Sequence, residues 1–344
     1  MSTLYCGLDV GSSVCYLVAK TQTGVTKATK QFGTSEQNLV SEFESLGQSL
    51  HVHLESTELA AWIRTILLDR VPRVKKVVVS HPKTNSWIAK DALKSDKRDA
   101  GKLADLLRLD VLHEVYYPDC KDLLLFKRTV QHYEQLTEQT SALKQRIKSR
   151  LLLEGIHATG TAPYGEEGRR LALEAVEDPT RRQAIRHLYD LLDSTEQIRS
   201  KALKLMRAQS SNYPVIERLQ AVPGIALKLA CRFVAYIQTP HRFSTVKKLW
   251  RYCKLGITER SSDGKPLGHK RLDYNGVGKL KDLSFKAYAS AVSTKKSNKF
   301  QRAYRSTFKK TKDKTHARLT VQRKILAVMW AMWRDGTEYD DQMG

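Results

Sequence analysis

"TLYCGLDVGSSVCYLVAKT", residues 3–21, decides how the first third of the chain is read. Two β-prone runs flank Gly11-Ser12-Ser13, and a turn-rich break between such runs predicts a hairpin. Asp9 falls late in its first strand.

Working outward, "SEQNLVSEFESL" (35–46) and "TELAAWIRTILLDRV" (57–71) carry apolar residues at helical spacing. "HVHLES" (51–56) and "KKVVVSHP" (75–82) read instead as short strands. Residues 1–112 are therefore expected to form a mixed α/β domain.

That domain closes with "KSDKRDAGKLADLLRL" (94–109), which admits two readings. In one, Ser95 or Asp96 caps a helix and Asp99 sits in a first turn favourable to negative charge. In the other, Asp96 and Asp99, three residues apart on one helix face, point at the same ion. Asp9 and Glu55, each at or beside a strand, add two further acids from separate elements. Mg²⁺ takes hard oxygen ligands, and a pair of such ions gripping a scissile phosphate needs several carboxylates on a rigid scaffold. Lys94, Lys97 and Arg98 would then face phosphate while the aspartates face metal.

The 344-residue chain carries a formal charge of +23, an excess that answers a polyanion, with nucleic acid the leading partner. Residues 241–344 hold 25 Lys and Arg against 9 Asp and Glu, so about +16 of the surplus lies there. No apolar run spans a bilayer and no leader pattern opens the chain, so the expectation is an intracellular protein without membrane contact. Cys6, Cys15, Cys120, Cys231 and Cys253 are scattered without CxxC spacing and predict buried thiols rather than zinc or disulfides. The histidines lack HExxH spacing, and Gly264-Lys265 lacks the phosphate-loop spacing that ATP use requires.

From about residue 119 to 150 a long helix is expected, with Leu125, Val130, Tyr133, Leu136, Leu143 and Ile147 on an imperfect coiled-coil seam. After the break "EGIHATGTAPYGEEG" (154–168), a second helical stretch over 168–209 places Ile185, Leu188, Leu192, Ile198 and Leu205 on its apolar stripe. Residues 113–212 thus read as a coiled-coil segment of two antiparallel helices, and 213–344 as a mostly helical basic domain. Its opening, "LQAVPGIALKLACRFVAYI" (219–237), suits two helices joined by a tight hairpin, either structural or aiming N–H groups at phosphate.

The span 249–283 concentrates Ser, Gly and basic residues in one long loop. A serine hydroxyl becomes a nucleophile only if its proton is removed and the developing charge is held. Ser262, between Arg260 and Lys265, meets the second need; the alternative is an ordinary Ser-Gly turn on a basic surface that also includes Lys270 and Arg271. "TKKSNKFQRAYRSTFKKTKDKTHAR" (294–318) interleaves Lys309, Lys310 and other bases with Phe300, Tyr304 and Phe308, which suits backbone neutralisation and stacking. In "LTVQRKILAVMWAMWRDGTEYD" (319–340) the Met/Trp stripe reads as core.

"GLDVGSS", "LEST" and "KSDKRDAGKLADLL", in this order, resemble the acidic tetrad of the DEDD-type insertion-sequence transposases, relatives of the Piv DNA invertases described as bridge-RNA-guided recombinases. The resemblance runs over nearly the whole chain. It implies an RuvC-like, RNase H-like first domain binding Mg²⁺ through Asp9, Glu55, Asp96 and Asp99, and a C-terminal helix-hairpin-helix-like element. "SSDGKPLG" (261–268) resembles the family's catalytic serine motif, with Asp263 replacing a Gly, and this places the nucleophile at Ser262, with Ser261 second. Further implied are a phosphoserine link to donor or target DNA, a noncoding guide RNA, a dimer or tetramer, and a cytoplasmic, nucleoid-associated prokaryotic setting. Rival readings are a junction-resolving metal nuclease without covalent serine chemistry, and a non-enzymatic nucleic-acid-binding protein.

Overall fold

In the computed structural model, residues 3–81, 95–118, 121–259, 261–262, 265–266, 268 and 271–342 are described, with backbone alone at 261, 262, 265 and 266. The chain divides into two compact units, Met1–Asp119 and Cys120–Gly344.

In the first unit β1 (Thr3–Val10) and β2 (Val14–Lys20) form the expected hairpin, Val10 lying opposite Cys15. Its turn needs glycine, since a Cβ on Gly11 would sit 2.6 Å from the Val14 carbonyl oxygen. β3 (Thr26–Gly33) adds an antiparallel strand, and β4 (Ser49–Glu55) and β5 (Val74–Ser80) run parallel to β1. The resulting five-stranded sheet has the order β3-β2-β1-β4-β5. Successive side chains on a strand alternate between faces. Leu4, Cys6 and Leu8 of β1 and Leu50, Val52 and Leu54 of β4 share one core with residues of α1 (Glu36–Glu44) and α2 (Ala60–Arg70). The opposite face receives α3 (Asp96–Arg108), which contacts β1, β2 and β4.

In the second unit α4 (Lys121–Leu153) packs along α6 (Pro179–Ser210). The returning arm is not continuous as expected: a 3-10 turn (Ala162–Tyr164) and the short α5 (Glu166–Glu174) precede it, because Gly165 ends one piece and Pro179 can only begin the next. The α4 seam holds Phe126, Val130, Tyr133, Leu143, Ile147 and Leu151, steps of mostly three and four residues. On α6 the seam runs through Ile185, Tyr189, Leu192, Thr195, Ala202 and Met206. Ile198 and Leu205, expected on that stripe, are instead about half exposed, as are Leu191 and, on α4, Leu125. The smaller Thr195 and Ala202 are buried instead, each three residues before the exposed Ile198 and Leu205.

The rest of the unit consists of α7 (Pro214–Leu219), α8 (Leu227–Ile237), α9 (Val246–Tyr252), α10 (Gly278–Ser293), α11 (Lys299–Thr311) and α12 (Lys314–Asp335). Met329, Trp330 and Met332 are core, as expected, and Trp330 Nε1 donates to the Pro240 carbonyl at 2.8 Å. Phe300, expected to be available for stacking, is fully buried, which leaves Tyr304 and Phe308 stacked on each other at 6.3 Å. The α7–α8 hairpin is present, but Gly224 (φ +86°) faces α10: a Cβ there would lie 2.2 Å from the Ala287 carbonyl oxygen. Its glycine thus serves helix packing. Buried Glu134 pairs with Arg232 and accepts from the Tyr236 hydroxyl at 2.7 Å, tying α4 to α8. The architecture is α/β followed by α, as the patterns predicted. Among the described residues no helix is long and apolar enough to cross a membrane, and Cys6, Cys15, Cys231 and Cys253 are buried free thiols.

Candidate functional site

The pleat of the sheet brings the acids to one place. Leu8 pairs with Leu54 in the parallel β1–β4 ladder, so Asp9 and Glu55 stand side by side one step further, where both strands end. They share a face with Gly7 and His53, which pair with each other. This is the face covered by α3, whose buried stripe is Ala100, Leu103, Ala104 and Leu107. Asp96 and Asp99 occupy its first turn.

Of the two readings of the 94–109 stretch, the cap is directly visible: the Ser95 hydroxyl accepts from the Arg98 N–H at 3.4 Å, and Asp96 and Asp99 follow it in the first turn. Burial pushes the Asp9 carboxyl up to about 6, reinforced by the negative charges of Asp96, Asp99 and Glu55. Four acids from three elements thus act on one another, a grouping that repels itself unless a cation or protons intervene. Asp99 Oδ1 is buried without a hydrogen-bond partner; Lys102 Nζ is 3.8 Å away. Among the described residues no three His, Cys, Asp or Glu side chains close on one point as a finished coordination shell. An all-carboxylate set with an orphaned oxygen fits a hard dication that keeps much of its water and binds through one or two carboxylates. It does not fit a zinc cage.

Two residues that positional reasoning overlooked set this geometry. Gly7 lets α3 settle on β1: a Cβ there would lie 2.0 Å from the Ala100 carbonyl oxygen and 2.4 Å from the Ala104 nitrogen. His53, fully buried, bonds through Nδ1 to the Leu103 carbonyl oxygen at 2.8 Å and through Nε2 to Ser80 Oγ at 2.7 Å. A carbonyl can only accept, so Nδ1 carries the proton and Nε2 accepts from the serine hydroxyl. His53 thus joins α3, β4 and β5 two residues before Glu55. The signals were a glycine inside a strand, which marks close backbone approach, and the two-residue spacing of His53 and Glu55. Asp105 adds a clamp, bonded to Lys20 Nζ and Arg108 Nε, each at 2.6 Å.

His53 and Asp9 give the unit opposed pH responses. Burial lowers His53 to about 4 from 6.5. The unfolded chain therefore takes up a proton that the folded one refuses, and stability falls as pH drops from 6.5 toward 4. Asp9, raised from 3.8 to about 6, contributes stability that is fully present below 3.8 and lost as pH rises through 6. In metal-free buffer the two trends offset. Asp9→Asn should remove the second and lose thermal stability on acidification from pH 6.5 to 4, where the parent changes less. Calorimetry showing parallel curves would refute this.

In the second unit the 249–283 span is less a loop than a ladder. β6 (Ile257–Thr258) pairs with β9 (Arg271–Leu272), and β7 (Ser261–Ser262) pairs with β8 (Lys265–Pro266) inside it, Ser262 opposite Lys265. Its base is fixed by buried Asp273, which accepts from Arg251 Nε at 2.6 Å and from the Asn275 N–H at 2.9 Å. Arg271 is exposed on this ladder, and Lys97, Arg98, Lys309 and Lys310 are exposed on α3 and α11. Lys94, Arg260 and Lys270 lie outside the described residues, as do the side chains of Ser261, Ser262 and Lys265.

The sheet order, the acid-bearing strand ends and the helix laid across them define an RNase H-like carboxylate domain, followed here by a helical basic domain. The comparisons carry this to a family. Residues 6–157 match the DEDD_Tnp_IS110 transposase model, and residues 216–305 match the model described as "Transposase IS116/IS110/IS902 family". Both matched regions are thus similar to transposase domains of the IS110 family. It is also 23% identical to the "Insertion element IS110 uncharacterized 43.6 kDa protein" of Streptomyces coelicolor, over 99% of this chain and 96% of that one.

Proposed function

We propose that this chain is a Mg²⁺-dependent DNA transposase or recombinase whose metal is held by Asp9, Glu55, Asp96 and Asp99 and whose nucleophile is Ser262. The supporting observation is the electrostatic action of three acids, Glu55 of β4 and Asp96 and Asp99 of α3, on Asp9 of β1. Bound there, the dication would polarise a scissile phosphate and neutralise charge on its oxygens.

The Ser262 hydroxyl gives up its proton to solvent as its oxygen bonds to phosphorus, the phosphodiester P–O bond breaks, and the departing deoxyribose oxygen takes up a proton in its place. The phosphoserine ester conserves the bond energy for rejoining, so strand exchange needs no external energy source. Lys265, opposite Ser262 in the backbone pairing, would supply a cation to offset the developing charge. A noncoding guide RNA pairing with donor and target DNA completes the reading. The strongly basic surface supports a nucleic-acid partner without specifying RNA.

Assembly into a dimer or tetramer is part of the same proposal. Leu191, Ile198 and Leu205 form an exposed apolar stripe at seven-residue spacing on α6, which a second copy of the helix could cover.

Trapping tests the serine. The parent protein with cleavable DNA and Mg²⁺ should yield a covalent protein–DNA adduct that resists denaturant, and Ser262→Ala should yield none. Adduct from Ser262→Ala would move the nucleophile elsewhere, Ser261 first. Cleavage by the parent without any adduct would favour the metal-nuclease reading.

A further inference from the structure

Asp340 and Asp341 pack against the first turn of α11. A cavity of about 410 Å³ between α11 and α12 has an apolar wall that includes Phe300 and Val328, with Lys299, Arg302, Lys324 and Asp341 also lining it. The Asp341 carboxylate accepts from a guanidinium, a backbone N–H and a hydroxyl. Oδ2 accepts from the Arg302 guanidinium at 2.7 Å. Oδ1 accepts from the Lys299 backbone N–H at 2.8 Å, at the start of α11, and from the Tyr339 hydroxyl at 2.7 Å. Arg302 also reaches the Asp341 carbonyl oxygen at 2.9 Å, and Lys299 Nζ reaches that of Asp340 at 2.8 Å.

The Arg302 guanidinium and the Lys299 N–H at the helix start converging on one anion, with Lys324 on the adjoining wall, form an oxyanion cradle, while the Tyr339 hydroxyl belongs to the covering segment itself. Burial would raise the Asp341 carboxyl, yet these donors bring it down to about 2, so the cradle holds a full negative charge at any working pH. In a segment where about +16 resides over 241–344, the "EYDD" of 338–341 is the one dense acidic run.

We infer that this cradle is a binding site for a nucleic-acid backbone phosphate and that Asp341 occupies it as an internal substitute, displaced when DNA or RNA engages α11 and α12. The inference rests on the reading that nucleic acid is the partner, and adds to it a site and a means of restraint. Without nucleic acid the tail covers Arg302 and Lys299. A phosphodiester, whose two non-bridging oxygens match the two of a carboxylate, takes over the Arg302 and Lys299 donors.

The test uses the full chain and a labelled duplex DNA and single-stranded RNA, each titrated across a salt series. Asp341→Ala and a chain ending at Gly336 should bind one or both about three- to tenfold more tightly than the parent. The slope of log affinity against log salt should steepen by about one phosphate's worth of counterion release. Glu338→Gln removes an equal charge outside the cradle and should change affinity less than about twofold, as expected of a screened surface charge. Arg302→Ala added to Asp341→Ala should cancel the gain. Equal gains from Asp341→Ala and Glu338→Gln, or no gain from Asp341→Ala and the shortened chain, would overturn the inference while leaving the transposase reading intact. Absence of binding by every form, the parent included, would overturn both.

Discussion

Asp9→Ala is expected to remove Mg²⁺-dependent DNA cleavage, a loss of at least about 10³-fold, while leaving the metal-free protein no less stable than the parent. The two effects have opposite signs for one reason. Asp9 is half-buried beside Asp96, Asp99 and Glu55, and burial with their charges lifts it to about 6. At neutral pH its ionised form is therefore a source of strain that only a cation relieves. Alanine removes the strain and the ligand together. Calorimetry provides the second readout: Mg²⁺ should raise the parent's unfolding temperature by mass action on the folded state and leave the variant's nearly unchanged. Cleavage surviving in Asp9→Ala, or a Mg²⁺ shift equal in both proteins, would remove Asp9 from the metal site.

Gly7→Ala should cost the first unit about 3 kcal/mol or more, at or beyond the upper end of ordinary overpacking. The added methyl would meet the Ala100 carbonyl oxygen at 2.0 Å and the Ala104 nitrogen at 2.4 Å. Both are helix backbone, so no side-chain rotation relieves the clash and α3 must lift from β1. That displacement separates Asp96 and Asp99 from Asp9 and breaks the register in which His53 meets the Leu103 carbonyl. Cleavage should fall with stability even at temperatures where the variant remains folded. Denaturant unfolding gives the first quantity, and single-turnover cleavage with saturating Mg²⁺ gives the second. A Gly7→Ala protein as stable and active as the parent would show that the β1–α3 approach is looser than described. Gly101→Ala, on the same helix with only Lys20 Nζ 3.9 Å away, should be tolerated and serves as control.

Local pattern reasoning reached the hairpin, the strand carrying Glu55, the helix start at Ser95 and the buried Met/Trp stripe. In each of these, side-chain period and turn chemistry within about ten residues settle the structure. It did not separate the two apolar stripes of α6, because a seven-residue spacing of Leu191, Ile198 and Leu205 looks the same whether a partner helix covers it or solvent does. Nor did it find the short ladder around Ser262, where two-residue strands carry too little pattern to be seen.

What the sequence determined by itself was the inventory: a strongly basic chain, four acids in order along an α/β domain, and Ser262 in a basic segment. Only the tertiary structure decided that Asp9, Glu55, Asp96 and Asp99 act on one another. Their meeting depends on a parallel β1–β4 pairing, a helix crossing the sheet on the face of Gly7 and His53, and a contact that a single methyl group would forbid. Those are long-range steric facts. No periodicity along the chain encodes the distance between a strand and the helix that packs on it.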